Sequence, residues 1–202
     1  MASKTREKLI EVARQLFARQ GLAHTTMNDI AAASEKGRRT IYTYFKSKRE
    51  IYNAVIERES DRHVEKMREV AEDMTLSPGD QLYQFMLTRY KSAADPTGRS
   101  LLSKLTLDAK RTERIRKMTY NKELLLLDKI LLRGLNEGVF NRPQTERLKA
   151  FMRRWLMSVD WTSHPDTMQL LASGISKEDF DRSHLALIEF IIEGTLNKNT
   201  IQ

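Results

Sequence analysis

The chain has 202 residues, of which 31% are charged, with a formal net charge of +8 and no cysteine. That length suffices for one or two domains with a real hydrophobic core, and the missing thiols exclude disulfides and thiolate metal sites. Only 8 Gly and 4 Pro stand among abundant Leu, Ala, Glu, Lys and Arg, a composition that favours helices over sheets.

The charge is uneven. Residues 1–50 hold 11 Lys or Arg against 5 Asp or Glu, whereas the remainder hold 24 against 22. A basic end of this kind suits a polyanion partner. No stretch reaches the roughly eighteen consecutive apolar residues of a membrane span. The opening MASKTREKLIEVARQLF alternates charge where a secretory signal needs an apolar run. A soluble, cytoplasmic protein is expected.

In chain order, Thr5–Gln20 reads as a first helix, with Leu9, Ile10, Ala13, Leu16 and Phe17 on one face and Gly21 placed for a left-handed cap. Thr26 caps a short second helix, MNDIAAAS, and Asp29 stands in the reciprocal position of a capping box. Met27, Ile30 and Ala31 give this helix its apolar face. A third helix runs from about Arg38 to Phe45. Ser47 and Glu50 form a second capping box, starting a long fourth helix at Lys48 that continues to about Met74. Ser77-Pro78 opens a fifth helix ending near residues 94–98. A sixth is expected over 99–112 and a seventh over 113–137, stopped by Gly138. An eighth follows Asn141-Arg142-Pro143 and ends near 163–165, and a ninth runs from the Ser176 cap to about Leu196. No strand-like alternation, repeat or low-complexity tract is present. The fold class is all-α, with about nine helices.

The segment KGRRTIYTYFKSK, residues 36–48, combines five basic residues with three aromatic ones. Residues 27–45 have the shape of two short helices joined by a tight turn. Ile41, Tyr42 and Phe45 share a face that can pack on the first two helices. Tyr42 stays open between that core role and phosphate contact. Arg38, Arg39, Thr40, Thr43 and Tyr44 then point largely outward. A helix reading the major groove needs that division, because Arg meets guanine edges and Thr a thymine methyl. Tyr42 and Tyr44 can donate to phosphate oxygens. Lys46 and Lys48 flank the start of the fourth helix, whose free amides already favour an anion.

From Ile10 to Glu50 the chain resembles the DNA-binding domain of the tetracycline-repressor (TetR/AcrR) family of transcription regulators. The matching pieces are ARQLF (13–17) with Gly21, TMNDIA (26–31) and TIYTYFKSK (40–48). The resemblance implies a homeodomain-like three-helix head over 1–47 and a helical effector-binding and dimerisation domain over 48–202. It implies that Arg38, Arg39, Thr40 and Thr43 meet bases or nearby phosphates, and that Thr26, Tyr42, Tyr44 and Lys48 meet phosphates. It also implies an effector pocket among the middle helices, where Tyr83, Met86, Tyr90, Leu105, Leu125 and Trp155 are candidate lining residues. No buried charged cluster is legible, so an apolar or amphipathic small molecule is the default effector. One departure stands out. Where the family's turn reads Ala-Gly-Val-Ser, this chain has Ser34, Glu35, Lys36 and Gly37, and Gly37 is expected to supply the backbone freedom.

The last two helices are apolar around more than one stripe. That breadth calls for burial on two sides and points to a homodimer through Phe151, Val159, Leu187, Ile188 and Ile191. Two-fold symmetry would place two reading helices about one DNA turn apart on a palindromic double-stranded operator. Repression, rather than activation, is implied by family habit alone. Catalysis is not expected: His24, His63, His164 and His184 are scattered, Asp160 with His164 makes a poor metal pair, and no phosphate loop or nucleophile elbow is present. No metal and no cofactor are called for. The alternative is a helical interaction module of the same fold without sequence-specific DNA binding.

Overall fold

A computed structural model describes residues 2–94, 109–157 and 176–196. Among these, the chain is helical, with α1 (Ala2–His24), α2 (Met27–Ala33), α3 (Arg38–Tyr44), α4 (Lys48–Glu72), α5 (Pro78–Ala94), α6 (Ala109–Asn136), α7 (Arg142–Met157) and α8 (Lys177–Glu193). The one β contact among the described residues is an isolated antiparallel bridge between Phe140 and Leu196. No helix among them is long and apolar enough to cross a membrane.

The boundaries follow local chemistry. Gly21 takes a positive φ of 82° and kinks α1 where the sequence places a stop. Ser47 Oγ accepts from the Glu50 amide at 3.2 Å, as a cap should, but the Glu50 carboxylate takes the Lys46 amide, at 2.7 Å, and not that of Ser47. The expected break between a sixth and a seventh helix at residue 112 is absent. Residues 109–136 form one helix, because nothing between Ala109 and Asn136 interrupts backbone hydrogen bonding until Gly138. The rest of the expected sixth helix, with Leu105, lies outside the described residues.

The described residues divide into two compact units, 2–62 with 109–117, and 63–94 with 118–157 and 176–196. The expected boundary at residue 47 falls at a helix start, yet the first core runs on into α4. Its fully buried residues include Leu9, Ala13, Ile30, Ile41, Phe45, Ile51, Tyr52, Val55 and Ile56. Phe17 and Tyr52 meet edge to face, with centroids 5.9 Å apart. Each such side chain contributes about 1.5–3 kcal/mol on burial, so truncating α4 at its start would expose much of what holds α1 to α3. An ion-pair network covers this core: Glu11 accepts from Arg14 (2.6 Å) and from Arg62 (2.7 Å), which also donates to Glu59 (2.9 Å). Hydrogen bonds from Arg14 and Arg62 hold the Glu11 carboxyl down to about 2, against a smaller opposing effect of burial.

The second unit is built on Met67, Leu82, Phe85, Met86, Leu127, Ile130, Phe140, Met152 and Ile188. Ile188 was expected at an interface between chains. It is instead 3% exposed, within its own chain's core, and Ile191 packs partly against that core. The reason is helical: α8 turns Ile188 and Ile192, one turn apart, inward, which leaves Leu187 and Phe190 outward at 44% and 73% exposure. Phe151 on α7 is also exposed, at 43%, while Val159 lies outside the described residues. The expected effector residues are scattered. Met86 is buried, Tyr83 and Tyr90 are half-buried, and Trp155 lies outside the residues whose side chains are described. Leu125 is 71% exposed, on the opposite side of α6 from Leu127 and Ile130, and lines no interior of this unit.

Candidate nucleic-acid interface

The reading head begins at Thr26. Its hydroxyl accepts from the Asp29 amide at 3.1 Å, and the Asp29 carboxylate accepts from the Thr26 amide at 2.8 Å. Both halves of the expected capping box are thus present. The bond from the Thr26 amide, with the hydroxyl adding to it, keeps the Asp29 carboxyl below its usual range. Met27, Ile30 and Ala31 bury the inner face of α2, so its start is pinned from two directions.

The turn into α3 is a Schellman motif. The Glu35 amide bonds the Ala32 carbonyl at 3.0 Å and the Lys36 amide bonds the Ala31 carbonyl at 2.9 Å. The residue that must turn left-handed is Glu35, with φ 57°. Gly37, expected to supply that freedom, has φ −64° and ψ 151°, ordinary extended values for a helix N-cap. The motif's hydrogen-bond pattern fixes which residue reverses the chain, and it is the second after the last helical one, whatever side chain stands there. Glu35 keeps its carboxylate in water, 3.1 Å from Lys8 Nζ. Lys36, where the family has a buried valine, is exposed.

On α3, Ile41 and Phe45 are 0% and 1% exposed and anchor the helix. Tyr42 does not join them. It is 41% exposed, and Tyr44 packs against the core in its place. Tyr44 stands three residues after Ile41, on the same side of the helix, whereas Tyr42 is about 100° around it. Tyr42 is therefore available to a phosphate, with the Arg38 guanidinium 5.8 Å above its ring. Arg39 and Thr43 are exposed and Thr40 is half-buried. The Thr43 hydroxyl donates back to the Arg39 carbonyl at 3.0 Å.

Lys46 is exposed, but Lys48 is partly committed. Its Nζ donates to the Leu22 carbonyl at 2.9 Å and to the Ala23 carbonyl at 3.4 Å, closing the end of α1. An ammonium has three N–H groups, so one remains for a phosphate. The sequence gives no hint of this tie, which spans 26 residues.

Charge pairing in the first unit is uneven. Arg14, Arg58, Arg62 and Arg111 each meet a glutamate. Lys36, Arg38, Arg39 and Lys46 meet none among the described residues. A cluster of exposed, uncompensated cations on one short helix and its flanks is the arrangement phosphate binding requires. Among the described residues no group of His, Asp and Glu has the makings of a metal site.

Residues 9–55 match the family described as bacterial regulatory proteins, tetR family. Over that segment, under a quarter of its length, the chain is similar to the tetR family. Its N-terminal segment is 46% identical over 52 residues to the probable acrEF/envCD operon repressor of Escherichia coli K12, covering 26% of this chain and 24% of that protein. The matched stretch thus spans about a quarter of that relative's length. A longer match of this chain, 26% identical over 144 residues and 70% of each chain, is to the uncharacterized HTH-type transcriptional regulator YfiR of Bacillus subtilis (strain 168). By fold it resembles SmeT, the repressor of the Stenotrophomonas maltophilia multidrug efflux pump SmeDEF. The TM-score is 0.62 and the identity 16%, over 98% of this chain and 93% of that one. These relatives are named as regulators or repressors, and none of them as an enzyme.

Proposed function

We propose that this chain is a homodimeric transcription regulator that binds a palindromic DNA site through α3 and leaves it when a small molecule binds the helical second unit. Repression is the mode we assign, and the cytoplasm its place of action. The observation that carries the DNA reading is the unpaired set Lys36, Arg38, Arg39 and Lys46 around a helix anchored by Ile41 and Phe45. Arg38, Arg39, Thr40 and Thr43 take the base-reading or nearby phosphate positions. Thr26, Tyr42, Tyr44, Lys46 and Lys48 take phosphates.

Dimerisation is supported by the outward apolar side chains Phe151, Leu187 and Phe190, whose exposure is unfavourable for a lone chain in water. Effector release is supported by the company the fold keeps: SmeT forms a complex with triclosan. Selection of bound duplexes from a random library by the purified chain tests the reading. One short palindrome should be preferred over random duplex by roughly 10³-fold or more. Replacing both Arg38 and Arg39 with Ala should weaken or relax that preference, each base contact being worth about 1–3 kcal/mol. Equal, salt-sensitive binding to every sequence would instead favour the non-specific interaction module.

A further inference from the structure

The first helix brings to the reading head a cation that no motif singles out. Arg6, in the second turn of α1, holds its guanidinium carbon 5.3 Å from the centroid of the Phe45 ring. The two residues are far apart in the chain, so only folding brings them together. Phe45 is the C-cap of α3. Its amide donates to the Ile41 carbonyl at 2.9 Å and the residue is 1% exposed, so its ring is fixed by both backbone and burial.

Attraction to a ring restrains a guanidinium without using a hydrogen-bond acceptor. The N–H fork of Arg6 is not taken up elsewhere. Among the described residues it donates no hydrogen bond. The Glu7 carboxylate lies 3.8 Å from Nη1, too far for one, and it also stands 3.4 Å from Arg58 Nε. The Arg6 side chain is 44% exposed, so an incoming acceptor can reach it. A free surface arginine loses rotamer freedom when it grips a ligand, and one already held over a ring loses less.

Placement decides what that acceptor is. Two residues beyond Arg6, Lys8 Nζ lies 3.1 Å from Glu35, in the turn that leads into α3. The start of α1 therefore reaches both ends of α3, Lys8 at its entry and Arg6 at its exit. The exit is the end that carries Lys46 and Lys48. Phe45 faces inward, so an arginine held on its ring stands beside a groove that α3 enters and not within it. The acceptor there is the DNA backbone, whose phosphates offer paired oxygens to a guanidinium fork. We infer that Arg6 is a phosphate contact of the DNA-bound protein and that the Phe45 ring is what positions it. This rests on the DNA reading above and adds to it a residue from outside the two-helix motif.

The test uses the full chain, the selected duplex and a scrambled duplex of equal length, with affinities from fluorescence anisotropy over a series of potassium chloride concentrations. Arg6→Gln should weaken both complexes by a similar factor and leave the preference between them within about twofold, as loss of a phosphate contact requires. The slope of log affinity against log salt should fall by about 0.9 for each protomer bound. Arg6→Lys keeps the charge and should keep the parent slope. Phe45→Leu keeps an apolar anchor but removes the ring, and it should cost severalfold less affinity in a chain already carrying Arg6→Gln than in the parent. A purely structural Arg6 would lower the melting temperature and leave the salt slope alone. An unchanged slope in Arg6→Gln therefore overturns the contact, and an equal cost of Phe45→Leu in both backgrounds overturns the positioning. If Phe45→Leu does not fold, the slopes of Arg6→Gln and Arg6→Lys decide. A parent chain that prefers neither duplex, yet loses slope on Arg6→Gln, upholds this contact and counts against sequence-specific reading.

Discussion

Glu35 offers the sharpest test of how the reading head is built. Its left-handed φ of 57° costs an L-residue about 1–2 kcal/mol, and the Schellman bonds of Glu35 and Lys36 hold it there. Glycine removes that strain but loses more backbone entropy on folding, which returns about 0.5–1 kcal/mol. The contact with Lys8 is a small further loss, because the Glu35 side chain is 84% exposed and such surface pairs contribute roughly 0–1 kcal/mol. Glu35→Gly should therefore stabilise the chain by about 0.5 kcal/mol, a rise of about 1–2 °C in a protein of this size. Glu35→Ala serves as the control, since it discards the Lys8 contact yet keeps the strained backbone, and it should melt at or below the parent. Circular dichroism melts at one pH and salt compare the three. A Glu35→Gly chain that melts no higher than Glu35→Ala refutes the argument, for then the turn costs nothing at this position. Affinity for the selected duplex should stay within about twofold in Glu35→Gly, each factor of two being only about 0.4 kcal/mol.

Three further outcomes follow from the same geometry. Thr26→Ala removes a side-chain cap and should cost about 1 kcal/mol, read as a lower urea midpoint. The Glu11 carboxyl is held down to about 2 in the folded chain, so its contribution is present above the ordinary value of 4.5 and fades as pH falls from there towards 2. Glu11→Gln should accordingly flatten the loss of stability over that window, measured as urea midpoints against pH, and an unchanged slope would contradict the pairing with Arg14 and Arg62. Phe190→Glu, at a position 73% exposed, should convert a two-chain mass to a one-chain mass in light scattering with little change in helicity, whereas Ile188→Ala should instead destabilise the fold by about 2–5 kcal/mol.

Much of the reading head was legible because its signals are local. The Thr26 and Asp29 pair, the apolar face of α2 and the stop at Gly21 each depend on residues within a turn of one another. The roles of Tyr42 and Tyr44 were harder, since both flank the buried stripe and only the docking of α3 on its neighbours selects between them. Glu35 was misread for a different reason. The presence of a glycine nearby drew the expectation to Gly37, but the hydrogen-bond register of the helix end, not residue preference, assigns the left-handed place. In the second unit, the inward turn of Ile188 and the outward turn of Leu125 depend on which face of each helix the core accepts, which an all-round apolar helix does not reveal.

What this sequence determined by itself was therefore the helical class, the capped two-helix head and a surplus of cations on it, because caps, periodicity and charge act over a few residues. What only tertiary structure decided was which of those cations stay unpaired and which are tied down, as Lys48 is to the end of α1. It likewise decided that His63, Arg89 and Glu123 meet. Electrostatic partners are chosen by distance in space, and residues far apart along the chain acquire that distance only when the helices pack.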